Sequence, residues 1–173
     1  MFKRILSLLR KKSPKGVEHL RFGWEIEDSN MFLISLFDMI SAKCQHGVNM
    51  NALNDHERIF FVVQTLETEV NNGGFEQFFS NSSGDFANEL VSAFTQIGAR
   101  HAAEICQRAL SLFQGKVPTD RTERLAQMSS VRNYYRFLDE CDDAFFNMPE
   151  NLNELNYAYV HQNRQYFPEG NEV

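Results

Sequence analysis

Asp139, Asp142 and Asp143 stand three and four residues apart in a stretch with helical patterning. On a helix this spacing puts all three carboxylates on one face, with Cβ atoms roughly 5–6 Å apart. Duplex nucleic acid carries about one negative charge per 1.7 Å of its axis, so such a row can stand in for phosphates on a basic, DNA-binding surface. Glu140 interrupts the run and Glu150 and Glu154 follow it. From Asp139 onward there are eight acids against Arg164 alone. A second acidic cluster, Glu25, Glu27 and Asp28, lies near the start. These nine residues are the candidate partner-binding set, and the competing reading is a solvated face that keeps the protein soluble.

Other chemistry is thinly supported. Five histidines (His19, His46, His56, His101, His161) occur at unrelated spacings, with no H-E-x-x-H or G-x-S-x-G pattern, so no catalytic residue is nominated. Cys44, Cys106 and Cys141 form no C-x-x-C pair, which points to free thiols rather than a zinc site or disulfide framework. Glu69 lacks a second Glu or a His three or four residues on, the spacing expected of a carboxylate metal site on a helix. No metal or cofactor is expected. Asn72-Gly73-Gly74 lacks the following Lys-Ser/Thr and the G-x-G-x-x-G spacing of a phosphate loop. An enzyme with a pocket at the Asn72–Gln77 junction stays open as an alternative, as does an immunity or antitoxin-like protein that binds a basic partner.

The net charge of −6 conceals an asymmetry. Residues 1–21 carry seven basic side chains against Glu18, a net of +6, which leaves −12 on residues 22–173. A body of that sign repels nucleic acid and attracts basic partners, so direct nucleic-acid binding is not expected. The first nine residues, M-F-K-R-I-L-S-L-L, are short, broken by Ser7 and followed by Arg10-Lys11-Lys12, unlike an export signal. No stretch reaches the roughly 20 apolar residues of a membrane span, and the expected location is cytoplasmic.

The elements that must hold these groups are all helical. Residues 1–21 read as a basic N-terminal arm ending in a linker, and residues 22–173 as a single all-α globular domain of about seven helices, with no period-2 strand pattern. Ser29 or Asn30 opens a first helix that is apolar almost all round, a candidate dimer surface. Asn54 and Glu57 form a capping box for the next helix, which carries Glu67 and Glu69 near its end, where the helix dipole disfavours them. Glu69 is expected to reach the following amides or an arginine such as Arg100 or Arg108. After the glycines, Phe75, Phe78 and Phe79 resume an apolar face, while Gln77 and Asn81 are expected to tie down the turn's backbone. Ser82 to Asp85, Ala99, Asp120 with Glu123, and Pro149-Glu150 mark later helix starts, with a break near Ser129-Ser130.

Glu69, Asn72, Gly73, Gly74, Phe75, Gln77, Phe78 and Asn81 mark a motif in the stretch from Glu69 to Asn81, which reads E-V-N-N-G-G-F-E-Q-F-F-S-N. This resembles a bacterial family of small helical proteins marked by E-x-x-N-G-G-F-x-Q-(F/Y)-(F/Y)-x-N, over about residues 25 to 165. Combined with the acidic body and basic start, the resemblance extends to the family's DNA mimics. It implies a homodimer that binds a helix-turn-helix transcriptional regulator and keeps it from its operator. No motif assigns individual contact residues, so the acidic set rests on charge clustering.

Overall fold

The computed structural model describes residues 22–170, so the basic arm at 1–21 lies outside the described residues. Seven α-helices follow in order: α1 Ser29–Lys43, α2 Asp55–Ser80, α3 Leu90–Gln96, α4 Arg100–Leu110, α5 Arg121–Ser130, α6 Tyr134–Asn147 and α7 Leu152–Gln162. Short 3-10 turns occupy Met50–Ala52, Ser82–Glu89 and Arg164–Tyr166. The described residues contain no strand, and the all-α single domain expected from the periodicity is what forms.

Several helix starts are dictated locally. Asn54 accepts from the backbone N–H groups of His56 and Glu57, and Glu57 returns a bond to the Asn54 N–H, completing the expected capping box. Asp120 caps α5 through the Glu123 N–H at 2.8 Å. α1 is capped one residue earlier than expected: Asp28, not Ser29 or Asn30, accepts from the Met31 N–H. A helix expected from Ser82 to Gly98 is instead a 3-10 run that becomes α-helical only at Leu90. The break expected near Ser129-Ser130 falls at Val131–Asn133, where Asn133 adopts φ +60°.

α2 occupies the centre and packs against α1, α3, α5 and α6. Its two halves meet at Gly73 and Gly74, which leave helical geometry; Gly74 has φ +80°. The bend is sharp. In a straight helix Glu69 and Asn81 would lie about 18 Å apart along the axis, yet the Asn81 amide donates to Glu69 Oε2 at 3.1 Å. Beyond the bend, Phe75, Phe78 and Phe79 are buried; Phe75 meets Phe145, and Phe79 meets Phe113 and Phe78, edge to face, the geometry favoured by ring quadrupoles. Much of α1 is covered within the single chain: Phe32, Leu33, Leu36 and Ile40 are buried, and Phe32 meets Phe22, Trp24 and Tyr157 from the segment before α1 and from α7. Met31 is exposed, and Phe37 and Met39 are partly buried.

The largest fully buried side chain is a charged one, Arg124, at 0 % exposure. Its Nε donates to the Phe79 carbonyl, Nη2 to the Asn81 carbonyl, and Nη1 to the Pro118 carbonyl and to Asp85 at 2.9 Å. The guanidinium thus ties α5 to the end of α2 and to the 3-10 run. Gly84 leaves room for it, since a Cβ there would lie 2.5 Å from Nε. Removing one side of a buried, fully bonded charge strands its partners without water. Arg124→Met is expected to destabilise the fold by about 3 kcal/mol or more, read as a lower urea midpoint. An unchanged midpoint would show that the carbonyls find other donors.

A candidate acidic interface on α6

The nine acidic candidates divide once their surroundings are known. Asp142 is half-buried and points inward: its Oδ1 accepts the Phe75 backbone N–H at 2.8 Å. It caps the second half of α2 from a neighbouring helix, where an unpaired N–H and the positive end of the helix dipole both favour a carboxylate. Only glycine fits at position 74, because a Cβ there would lie 2.1 Å from Asp142 Oδ2. Burial raises the Asp142 pKa; the Phe75 bond offsets part of the rise, and Asp139, Asp143 and Glu76 add to it.

Glu150 is also committed internally. It accepts the N–H groups of His101 and Ala102 at 2.8 and 3.0 Å and the His101 ring at 3.1 Å, capping α4. Burial pushes its pKa up, but those donors outweigh it and hold the carboxyl below its ordinary range. The helix expected to start at Pro149-Glu150 therefore begins later, at Leu152, capped by Asn151. Glu140 pairs with Arg108 at 2.7 Å and lies 3.8 Å from Arg136, so its charge is compensated. Asp28 is the α1 cap.

Exposed acids remain in two groups. Asp139 and Asp143 on α6 are exposed, and Glu76 joins them from α2, held by the Tyr134 hydroxyl at 3.2 Å. Glu25, Glu27 and Glu154 are exposed around the start of α1 and α7, where Asn153 donates to Asn30. Glu76 escaped notice in the sequence because it sits 63 residues from Asp139; only the bend in α2 brings it alongside.

The α6 group has two further properties. Its acids lie in the middle and C-terminal half of the helix, whose last turn holds no basic residue, so they do not complement the positive end of the helix dipole. They are also bracketed by rings. At 100° per residue, Asp139, Asp142 and Phe146 all fall within about 40° of Tyr135 around the helix, and Tyr135 and Phe146 are each 55 % exposed. The resulting stripe has an aromatic side chain at either end and Asp139 as its exposed carboxylate; Asp142 on the same face is turned in toward Phe75, and Asp143 borders the stripe about 80° from Tyr135.

The Glu69–Asn81 segment has a structural role. Glu69 accepts from the Gln77 and Asn81 side-chain amides and from the Ser83 hydroxyl, the last at 2.7 Å. It reaches neither Arg100 nor Arg108, and Gln77 and Asn81 bond this carboxylate rather than the turn's backbone. A cavity of about 200 Å³ opens beside Glu69. Residues 72–77 take no part in lining it; its walls come from α1, the first half of α2 and the Ser82–Phe86 segment. Cys44, Cys106 and Cys141 are buried free thiols. Among the described residues, no helix is long and apolar enough to cross a membrane.

Comparison with known proteins places this architecture. Residues 51–163 match the DMP19-like protein family. The chain belongs to that family. The matched span holds the whole Glu69–Asn81 bend and α6 with its stripe, while Glu25, Glu27, Asp28 and α1 fall outside it. No curated protein matches the chain significantly, and no solved structure does so.

Beside the Phe146 end of the stripe lies Glu67, lining an open groove with Phe146, Pro149 and Leu152. Burial raises its carboxyl to about 7, opposed only by the Gln64 amide at 3.3 Å. A raised pKa means that the folded state favours the neutral acid. The stabilisation is complete below the unfolded value near 4.5 and is lost as pH rises through about 7. Between about pH 5 and pH 8 the protein should lose roughly 1–2 kcal/mol, less than the full linkage value because water reaches part of the side chain. Glu67→Gln should abolish that part of the slope in denaturant melts. A slope unchanged by the substitution would assign it to other groups.

Proposed function

We propose that this protein is a DNA mimic that docks the α6 stripe on the basic, DNA-binding surface of a helix-turn-helix transcriptional regulator and so blocks its operator. The observation that carries this reading is the α6 stripe itself. Asp139, Asp143 and Glu76 are exposed, with no cation bonded to them among the described residues, and Asp139 shares its helix face with the exposed rings of Tyr135 and Phe146. Solubility alone accounts for scattered charge, not for aromatic brackets. Tyr is among the residue types enriched at interface hot spots, and aromatic side chains in general are enriched at interfaces.

The mechanism is electrostatic competition. The carboxylates meet Lys and Arg side chains that otherwise contact phosphates, while Tyr135 and Phe146 bury apolar area at the margins of the contact. Membership of the DMP19-like family and the acidic body support the same reading. The protein then works in the cytoplasm as a homodimer, a second copy repeating the row so that it meets a dimeric regulator. Glu140 and Glu150, tied internally, do not take part, and Asp142 sets the stripe's position rather than its charge.

The test is capture of partners from lysate on the immobilised protein, followed by competition with duplex DNA. A DNA-binding regulator released by the duplex is expected. Affinity should fall steeply with salt. The triple variant Glu76→Gln, Asp139→Asn, Asp143→Asn should bind about ten-fold or more weakly with a flatter salt dependence. Tyr135→Ala with Phe146→Ala should weaken binding while leaving the salt dependence unchanged. Recovery of no DNA-binding protein, or of one that duplex DNA does not displace, overturns the proposal.

A further inference from the structure

The cavity beside Glu69 is lined by Phe37, Phe61 and Phe86 on one side and by Ser41, Thr65 and Glu69 among its polar groups. Three features of it bear on what it can hold. First, among the described residues the Glu69 carboxylate is bonded only by neutral donors, two amides and a hydroxyl, and by no cation. Second, the Ser41 and Thr65 hydroxyl oxygens are buried and make no hydrogen bond, although Ser41 as a whole is only 5 % exposed. Buried polar atoms without partners are rare and costly in native folds. Third, the rings are arranged around one space: Phe37 stacks on Phe61 at 5.6 Å, and Phe86 meets Phe61 edge to face at 5.6 Å.

The loop that covers this space is built on uncommon backbone. Gln45, His46 and Gly47 take φ of +53°, +55° and +92° in succession, and Gly47 comes close enough to Phe86 that a Cβ would lie 2.7 Å from its ring. Two consecutive non-glycine residues in the left-handed region carry a conformational cost. That cost places His46 against the cavity.

The chemistry selects the occupant. An anion is repelled by Glu69. A wholly apolar molecule leaves both hydroxyls unpaired. A primary ammonium has three donors and no acceptor; it suits a carboxylate and two hydroxyl oxygens, and its charge is stabilised by aromatic faces within about 6 Å. The first half of α2 ends here with its negative dipole end, which adds the same preference. We propose that this cavity binds a protonated primary amine on a short alkyl chain, held by Glu69, Ser41 and Thr65 with the chain between Phe37, Phe61 and Phe86. The site is independent of the α6 stripe. Its ammonium can come from a free small amine or from a lysine side chain.

The test is a titration of the full ¹⁵N-labelled chain with n-butylammonium chloride, followed by amide shifts at residues 41, 65, 68 and 83. Saturable shifts at these positions are expected, and n-butanol, of the same shape but uncharged, should bind about ten-fold or more weakly. Glu69→Gln should lose butylammonium binding by a similar factor. Because that change also touches the bend, the isosteric Thr65→Val serves as a second variant, expected to weaken binding by about three-fold with an unchanged melting curve. A blocked tripeptide, acetyl-Gly-Lys-Gly-amide, separates the sources: shifts with it identify a protein lysine, and shifts with the free amine alone identify a small molecule. No saturable shifts with butylammonium, equal shifts with butanol, or wild-type binding by folded Thr65→Val and Glu69→Gln overturns the proposal.

Discussion

The bend in α2 depends on one carboxylate. Glu69 stands on the first half of the helix and takes hydrogen bonds from Gln77 and Asn81 on and just beyond the second half and from Ser83 after it. Without that hub, two glycines would leave the halves free to take many relative angles. With it, the second half is aimed so that Phe75, Phe78 and Phe79 enter the core, Phe75 presents its N–H to Asp142, and Glu76 emerges beside α6. Asn81 works in both directions, its amide held by Glu69 and its carbonyl by Arg124. The two charges therefore fix the same turn from opposite sides, each satisfied by hydrogen bonds instead of by the other. The hydrogen bonds to each charge, together with the Arg124–Asp85 pair at 2.9 Å, offset the cost of withdrawing them from water.

Much of this fold is legible in the sequence because its determinants are local. Caps at Asn54 and Asp120 involve partners two or three residues away, and the rings after Gly74 recur at helical spacing. What escapes is long-range. Arg124 reads as an ordinary surface arginine of a polar helix, and nothing near it in sequence reveals that carbonyls 43 and 45 residues earlier converge on it. Asp142 and Glu150 look interchangeable with Asp139 and Glu154 by type and spacing, yet they cap helices 67 and 48 residues away. The charge pattern marks the region of the acidic interface. Assigning the individual acids needs the packing of α6 against α2 and of the α6–α7 connection against α4.

Capping from a distance also explains why so many acids can be held on one side of the molecule. Asp142 and Glu150 each face a helix N-terminus, where the backbone supplies positive partial charge; Glu140 faces Arg108. These three are neutralised within the fold. Among the described residues Asp139, Asp143 and Glu76 bond to no cation, and their charges add to burial in raising the Asp142 pKa.

The span of each closure differs. All three donors to Glu69 lie within 14 residues of it along the chain, so the entropy lost in bringing them together is that of a short loop. The Arg124 bonds to α2 close loops of about three times that length. The bend is therefore an almost self-contained piece of chain whose geometry is set by its own residues. This is why it can be written as a contiguous string of letters, while the buried arginine that secures it leaves no such signature.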